Sequence, residues 1–328
     1  MMAPILDVRD LVVAFSTDHG TLRAVDGVSF DLNEGEVLGL VGESGSGKTV
    51  TCRAIIRLLP SRRARIVGGS IKLSGEELTT KSEAEMREQR GSRIGMIFQN
   101  PLTHLNPVMT VGDQIAETMR VHRGLTRKEA LREAVERLRQ VGIPDPASRI
   151  ASYPHEFSGG MRQRAMIAGA LACDPAVLIA DEPTTALDVT VQAQILRLLL
   201  ELRDETGLAI ILITHDLGIV AQTCDTVAVM YAGRIIERAP KRVLLEHPLH
   251  PYTKGLTESQ PGGMTPHEPL PSIPGQPPSL SRLPDGCRFH PRCAYGDAAC
   301  QGAVPPLVGV AERHVSACIK WQALEPGR

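Results

Sequence analysis

Two stretches near the start of the chain, residues 5–15 and 22–32, are rich in Val, Leu and Ile or alternate apolar with polar positions, which predicts two β-strands. A short, largely apolar run over 36–41 predicts a third strand that is buried on both faces. A glycine-rich turn follows. The apolar spacing over 48–59 is that of a helix, which we expect to stop at Pro60.

The middle of the chain, about 100–172, is predicted to be helical. Thr126 and Glu129 form a capping-box pattern, and an apolar stripe with helical spacing follows them. This region therefore predicts a helical subdomain rather than further strands.

Strands and helices alternate again in the third block. Residues 176–180 and 208–213 are apolar runs of strand length, and 190–206 has helical spacing that ends at Gly207. Residues 227–237 predict a β-hairpin or two short strands. Strand–helix alternation with nearly continuous apolar strands predicts an α/β fold with a parallel sheet covered on both faces.

Composition changes after about residue 240. Twelve of the 24 prolines lie between Pro240 and Pro291, which argues against a long helix or a central strand. We therefore expect two parts, a domain over 1–240 and an extension over 241–328 that begins as an extended connector and ends in a four-cysteine tail.

The overall composition excludes several classes of protein. With 328 residues, 42% of them hydrophobic, and a net charge of -1, the chain is neither disordered nor a wholesale nucleic-acid coat. No apolar stretch reaches the roughly 18 residues that span a bilayer, and the first residues lack the pattern of a signal peptide. We expect a soluble chain that acts on a membrane only through partners.

The turn after the third strand reads GESGSGKT over 42–49, the G-x-x-x-x-G-K-[ST] pattern of a phosphate-binding loop. Glycines let successive N–H groups point at phosphate oxygens, and the following helix adds the positive end of its dipole. Lys48 supplies a charge for the β- and γ-phosphates, and the Thr49 hydroxyl is a suitable Mg²⁺ ligand. The alternative is a glycine-rich turn with a solvated lysine.

A pair of carboxylates, Asp181 and Glu182, directly follows the apolar run 176–180. The carboxyl end of a parallel strand borders the crevice where α/β sheets bind ligands. Asp181 suits Mg²⁺ through water, and Glu182 suits the removal of a proton from an attacking water. The alternative is a solvated turn.

A third motif, FSGGMRQR over 157–164, stands just before a predicted helix. With the two motifs above, it resembles the ATP-binding subunits of ABC transporters. The family's LSGGQ signature is changed here at Phe157 and Met161, and Gln163 follows two positions later. The unchanged core of the signature consists of Ser158, Gly159 and Gly160.

The resemblance implies a P-loop ABC ATPase cassette, with a RecA-like core sheet, an antiparallel β subdomain and a helical signature subdomain. It implies ATP and Mg²⁺ as cofactors. The implied ATP-binding positions are Phe15, Gly42, Glu43, Ser44, Gly45, Ser46, Gly47, Lys48, Thr49, Val50, Gln99, Ser158, Gly159, Gly160, Asp188 and His215. The implied catalytic residues are Glu182, His215 and Lys48, and the implied magnesium positions are Thr49, Gln99 and Asp181.

Four of these positions have roles that rest on the resemblance alone. Phe15 matches the aromatic residue that stacks on adenine, and Gln99 the glutamine that links the Mg²⁺ site to the transport domain. Asp188 ends the loop 185–188 that crosses the dimer interface, and His215 matches the histidine at the γ-phosphate. Phe15 as a core residue and His215 as a structural imidazole are the alternatives.

A narrower resemblance rests on the runs 153–164 and 250–256 and on the proline-rich tail. These resemble the ATPase subunits of oligopeptide/dipeptide permeases, a subfamily that also contains nickel uptake systems. The resemblance implies an ATP-hydrolysing importer subunit on the cytoplasmic face of the inner membrane. Its implied partners are a related or identical second ATPase, two permease subunits and an extracytoplasmic binding protein. Nickel or another solute, or a soluble non-transport ABC ATPase, is the alternative function.

The last cysteines form a separate candidate site. They are Cys287, Cys293, Cys300 and Cys318. Four thiolates are the ligand set of an iron–sulfur cluster or a structural zinc, although zinc sites have closer cysteine pairs. The subfamily resemblance favours a 4Fe-4S cluster, with Zn²⁺, free thiols or disulfides as alternatives, and disulfides are disfavoured in a cytosolic chain. His290 and His314 are interpreted as solvated or structural residues rather than ligands.

Overall fold

The computed structural model describes residues 3–18, 20–185, 187–259 and 272–324, except the side chains of Pro101 and Leu102. Part of the predicted proline-rich connector, 260–271, lies outside the described residues. The chain forms two compact units. The first unit lies within 1–6, 32–36 and 72–213, and the second within 7–31, 37–71 and 214–328.

Strands and helices alternate over most of the chain. The strands are β1 (Leu6–Thr17), β2 (Gly20–Leu32), β3 (Val37–Val41), β4 (Ala64–Leu73), β5 (Glu76–Glu77), β6 (Ile94–Ile97), β7 (Val177–Asp181), β8 (Ala209–Thr214), β9 (Thr226–Tyr231), β10 (Arg234–Pro240), β11 (Val308–Ala311) and β12 (His314–Ser316). The helices are α1 (Lys48–Ile55), α2 (Glu83–Gln89), α3 (Pro101–His104), α4 (Val111–Arg123), α5 (Arg127–Gln140), α6 (Pro146–Arg149), α7 (Gly159–Ala170), α8 (Val189–Thr206), α9 (Leu217–Thr223), α10 (Lys241–Glu246) and α11 (Pro251–Glu258).

The first unit contains a parallel ladder of β6, β7 and β8, apart from Thr214 at the end of β8. All five residues of β7 and all six of β8 are buried, as expected for strands covered on both faces. The predicted helical region contains α3 to α7, and the capping box of Thr126 and Glu129 begins α5 as predicted. Helix α8 ends at Gly207 in the left-handed conformation, also as predicted.

In the second unit the strand order is β11–β12–β10–β9–β3. Strands β3 and β9 are parallel, and β9 and β10 form the predicted antiparallel hairpin. The second unit also contains β1 and β2 apart from one end residue each, and these strands are neighbours in a second sheet. The 42–49 loop begins directly after β3 and runs into the first residues of α1.

Two expectations differ from the structure. Helix α1 ends before 56–59 because Arg57 adopts the left-handed conformation (φ 52°) and the Leu58 N–H donates to the Arg53 carbonyl. The region after 240 is not simply an extended connector. It contains α10 and α11, and its last strand, β12, pairs with β10.

Candidate functional site

The 42–49 loop depends on glycine at two close contacts within the second unit. Gly42 has φ 148°, and a Cβ there would lie 2.2 Å from the Met230 carbonyl oxygen. Gly47 has φ 107°, and a Cβ there would lie 2.7 Å from the Ala24 carbonyl oxygen. Because both neighbours are backbone atoms, neither contact can be relieved by a rotamer change, so the loop can keep this shape only with glycine at both positions.

Lys48 begins α1 and is folded back across the loop. Its Nζ donates to the carbonyl oxygens of Gly42 at 2.7 Å and Glu43 at 3.0 Å, and the residue is 6% exposed. The N-cap of α1 is Gly47, which provides no side-chain acceptor for the first turn. A curled loop, a lysine and an uncapped helix start together fit a bound phosphate chain.

The carboxylate pair lies in the first unit, where β7 ends. Asp181 is 2% exposed. Glu182 has φ 47°, in the left-handed region that is strained for a residue with a side chain, at a cost of about 1–3 kcal/mol. Its N–H donates to the Ile213 carbonyl at 3.0 Å, which ties this turn to the end of β8.

The Glu182 carboxylate is held by two side chains. Gln99 Nε2 donates to Glu182 Oε2 at 2.7 Å, and Thr185 Oγ1 donates to the same oxygen at 3.0 Å. The structure therefore brings together Glu182 and Gln99, which the sequence placed in one site. Thr185 was not predicted as a functional residue, although its position three residues after Glu182 is a spacing at which a hydroxyl can reach back across a turn.

The signature motif of the first unit begins α7. Ser158 is the N-cap and accepts from the Met161 N–H at 3.3 Å, while Phe157 is buried. A Cβ on Gly160 would lie 2.8 Å from Val191 Cγ1, so a larger residue would press against α8. Gln163 is 1% exposed, so it does not present a polar group beside Ser158 in place of the family's glutamine.

Asp188, His215 and Phe15 each have a definite structural setting. The Asp188 carboxylate caps α8 and accepts from the Val191 N–H at 2.9 Å. His215 is exposed between β8 and α9, and Phe15 is half-buried near the end of β1. Their roles at a partner subunit, the γ-phosphate and adenine stay predictions.

A buried carboxylate organises the start of the 250–256 run. Glu237 is 0% exposed and accepts from the N–H groups of Leu249 at 2.6 Å and His250 at 3.0 Å. His314 Nε2 contacts the same carboxylate at 2.7 Å, so this histidine is structural, as predicted. His250 Nδ1 accepts from the Tyr252 N–H at 3.1 Å, and burial lowers the pKa of His250 to about 3. The imidazole is therefore neutral and caps α11.

The four tail cysteines are free thiols. Burial, with smaller contributions from neighbouring thiols, raises the pKa of Cys287 and Cys293 and raises that of Cys318 to about 11. In the ranges that the structure describes, no group of three or more His, Cys, Asp or Glu side chains is placed to hold a metal ion. This arrangement does not support the predicted 4Fe-4S cluster or zinc site.

Among the described residues, no helix is both long and apolar enough to cross a membrane.

Two family models match the chain. The model described as ABC transporter matches residues 25–185, and that described as oligopeptide/dipeptide transporter, C-terminal region, matches 236–300. The first match includes the 42–49 loop, Gln99, the signature and the carboxylate pair. The second includes Glu237, the 250–256 run and three of the four tail cysteines.

Similar proteins match along nearly the whole chain. A Brucella ovis protein described as a peptide import ATP-binding protein is 52% identical over 332 residues, which is 98% of both chains. A Sinorhizobium fredii protein described as a peptide ABC transporter ATP-binding protein is 52% identical over 322 residues, covering 98% of this chain and 96% of its own.

Solved structures match over the cassette. An ATP-binding cassette, solved as a dimer in a post-hydrolysis state with ADP and Pi, superposes with a TM-score of 0.65 at 25% identity. It covers 72% of this chain and 99% of its own. CbiO1 of Clostridium perfringens, part of an ABC transporter complex, superposes with a TM-score of 0.63 at 29% identity and covers 75% of this chain and 92% of its own. The predicted ABC cassette fold is confirmed by these likenesses.

Proposed function

Because the chain belongs to the ABC transporter family, and to the branch with the oligopeptide/dipeptide transporter C-terminal region, we propose that it is the ATP-hydrolysing subunit that energises peptide uptake. The supporting observation is the 52% identity to peptide import ATP-binding proteins over 98% of the chain. The chain is an ATP-binding ABC ATPase, for which Mg²⁺ is the expected metal. We also propose that 1–240 is the ABC nucleotide-binding domain and that 241–328 is a separate C-terminal extension.

The proposed role of the 42–49 loop is to hold the phosphates of ATP. Its glycine-dependent curl and the uncapped start of α1 support this role. Lys48 Nζ, now bonded to two loop carbonyls, supplies a positive charge that favours the γ-phosphoryl group as negative charge builds on it. Thr49, Asp181 and Gln99 would hold Mg²⁺, which neutralises phosphate charge when bound.

Glu182 is proposed to orient the attacking water and accept its proton. The two hydrogen bonds from Gln99 and Thr185 support this role, because they fix the direction of the carboxylate. His215 is proposed to stabilise charge at the γ-phosphate, and Phe15 to stack on adenine.

The signature is proposed to complete the ATP site of a second ATPase subunit, arranged head to tail. A mixing experiment tests this arrangement. Lys48→Ala and Ser158→Arg chains are each expected to be inactive, but a mixed dimer retains one site with an intact loop and an intact signature. Recovery of ATP hydrolysis on mixing supports the arrangement. No recovery overturns it, provided that recovery is also absent when one substitution is made in this chain and the matching one in the co-purified second ATPase.

The proposed partners are two permease subunits and an extracytoplasmic binding protein, which would place the chain on the cytoplasmic face of the inner membrane. Reconstitution of the co-purified complex into vesicles tests the solute. We expect uptake of radiolabelled di- and oligopeptides that requires ATP and is lost with Lys48→Ala. ATP-dependent uptake of nickel in place of peptide would overturn the assignment.

The 4Fe-4S cluster stays a proposal, with Zn²⁺ as the alternative. The Cys287 N–H donates to the Cys300 carbonyl at 2.8 Å, and the thiols of Cys287, Cys293 and Cys300 raise the pKa of Cys318, so the four residues lie in one neighbourhood. This proximity supports the proposal. Binding would require the sulfur atoms to rearrange, because no metal-holding group of side chains is present among the described residues. Visible absorption of anaerobically prepared protein tests the cluster, and a colourless sample with stoichiometric zinc would reject it.

A further inference from the structure

The side chain of Glu43, the second residue of the phosphate-binding loop, pairs with an arginine of the C-terminal extension. Arg292 Nη1 donates to Glu43 Oε2 at 2.8 Å, and Arg292 Nη2 donates to Glu43 Oε1 at 3.0 Å. Two parallel bonds of this kind form the fork that only a guanidinium can make with a carboxylate. The Arg292 side chain is 6% exposed and that of Glu43 is 28% exposed, so the pair is largely shielded from solvent.

The extension also holds the backbone of Glu43. Its N–H donates to the Tyr252 hydroxyl at 2.8 Å. Tyr252 is fully buried and packs against Tyr231 and Phe289, with ring centroids 4.6 Å and 5.4 Å away. The loop residue is therefore fixed at its main chain by α11 and at its side chain by the segment around Arg292.

Arg292 is itself fixed before it reaches the loop. Its Nε donates to the Pro274 carbonyl at 2.8 Å, and Nη1 also lies 3.3 Å from the Tyr231 hydroxyl. Because these bonds set the plane of the guanidinium, little side-chain entropy remains to be lost when it pairs with Glu43.

We propose that Arg292 is a positioning residue for ATP, which cancels the charge of Glu43 at the phosphate-binding loop and so lets the C-terminal extension set the loop's affinity for the nucleotide. A carboxylate one residue from Gly42 repels a triphosphate, and this repulsion is strong where water is partly excluded. Pairing with Arg292 removes it. The inference rests on the proposed role of the 42–49 loop.

The test uses the full-length chain and titrates a trinitrophenyl-ATP probe in the presence of Mg²⁺. We expect Arg292→Gln to weaken binding by about 5- to 150-fold, the range of a typical coupling between sites. Glu43→Gln combined with Arg292→Gln should bind more tightly than Arg292→Gln alone, because the uncompensated charge of Glu43 is then gone. The matched control is Lys254→Ala, which removes a cation of the same extension that bonds Tyr295 at 3.0 Å.

Steady-state kinetics of the complex separate positioning from loss of structure. Arg292→Gln should raise KM for ATP with little change in kcat, and thermal denaturation of the nucleotide-free variant should remain cooperative. Wild-type affinity in a folded Arg292→Gln variant, or a double variant as weak as the single one, would overturn the inference. Failure of the wild-type chain to bind the probe would instead reject the proposed ATP site.

Discussion

The buried carboxylate of Glu237 offers the sharpest test of how the extension is attached. It accepts from the N–H groups of Leu249 and His250, contacts His314, and is 0% exposed. Glu237→Gln removes the charge and turns an NH₂ group toward these donors. Each buried donor left without an acceptor costs about 1–3 kcal/mol. If one or two of the donors lose their acceptor, the attachment of this segment is destabilised by roughly 3 kcal/mol in total. This corresponds to about a 100-fold change in the opening equilibrium.

Hydrogen exchange of the amides of 249–258, followed by mass spectrometry, measures this loss where it occurs. We expect faster exchange in Glu237→Gln than in the wild-type chain. The control is Glu246→Gln, because Glu246 is an exposed carboxylate that pairs with Arg242 in α10. Its replacement should change the free energy of unfolding by under about 0.5 kcal/mol. Equal exchange in the two variants would refute the reasoning that the buried carboxylate anchors α11.

Two further predictions concern the loop and the extension. Gly42→Ala should weaken binding of the trinitrophenyl-ATP probe at least about tenfold, because the added Cβ would meet a backbone oxygen at 2.2 Å. Gly45→Ala, which has open space around the added Cβ, should weaken probe binding less. Equal weakening by the two substitutions would contradict this reasoning. Because the pKa of His250 is about 3 when folded and 6.5 in an unfolded chain, the unfolded state binds the extra proton between these values. Stability should therefore fall as pH drops below about 6.5, by up to ~1.4 kcal/mol per pH unit from this residue. Urea denaturation should show that the free energy of unfolding falls less between pH 7 and pH 5 in His250→Asn than in the wild-type chain. An equal fall in the two proteins would contradict the lowered pKa of His250.

Local chemistry made the cassette predictable from the sequence. The 42–49 loop, the carboxylates after 176–180 and the helix end at Gly207 each depend on residues adjacent in the chain, so their patterns survive without knowledge of the fold. The contact of Gln99 with Glu182 could be expected only through the family resemblance, because 83 positions separate the two residues.

The extension was less predictable because its stabilising contacts are long-range. Glu43 and Arg292 are 249 positions apart, and no local sequence pattern predicts that they pair. Proline content suggested an extended connector, yet Pro251 is accommodated in the first turn of α11, where its missing N–H costs nothing. The region between 61 and 93 gave no prediction at all, and the structure places β4, β5 and α2 there.

The most direct test of the proposed chemistry compares ATP hydrolysis by the reconstituted complex containing wild-type chain or Glu182→Gln at saturating ATP and Mg²⁺. A general base contributes about 10²- to 10⁴-fold, so we expect hydrolysis to fall by at least about 100-fold while ATP binding is retained. The matched variant Glu156→Gln, an exposed glutamate near the signature, should hydrolyse ATP at the wild-type rate. Wild-type turnover by Glu182→Gln would contradict the assignment of Glu182 as the base.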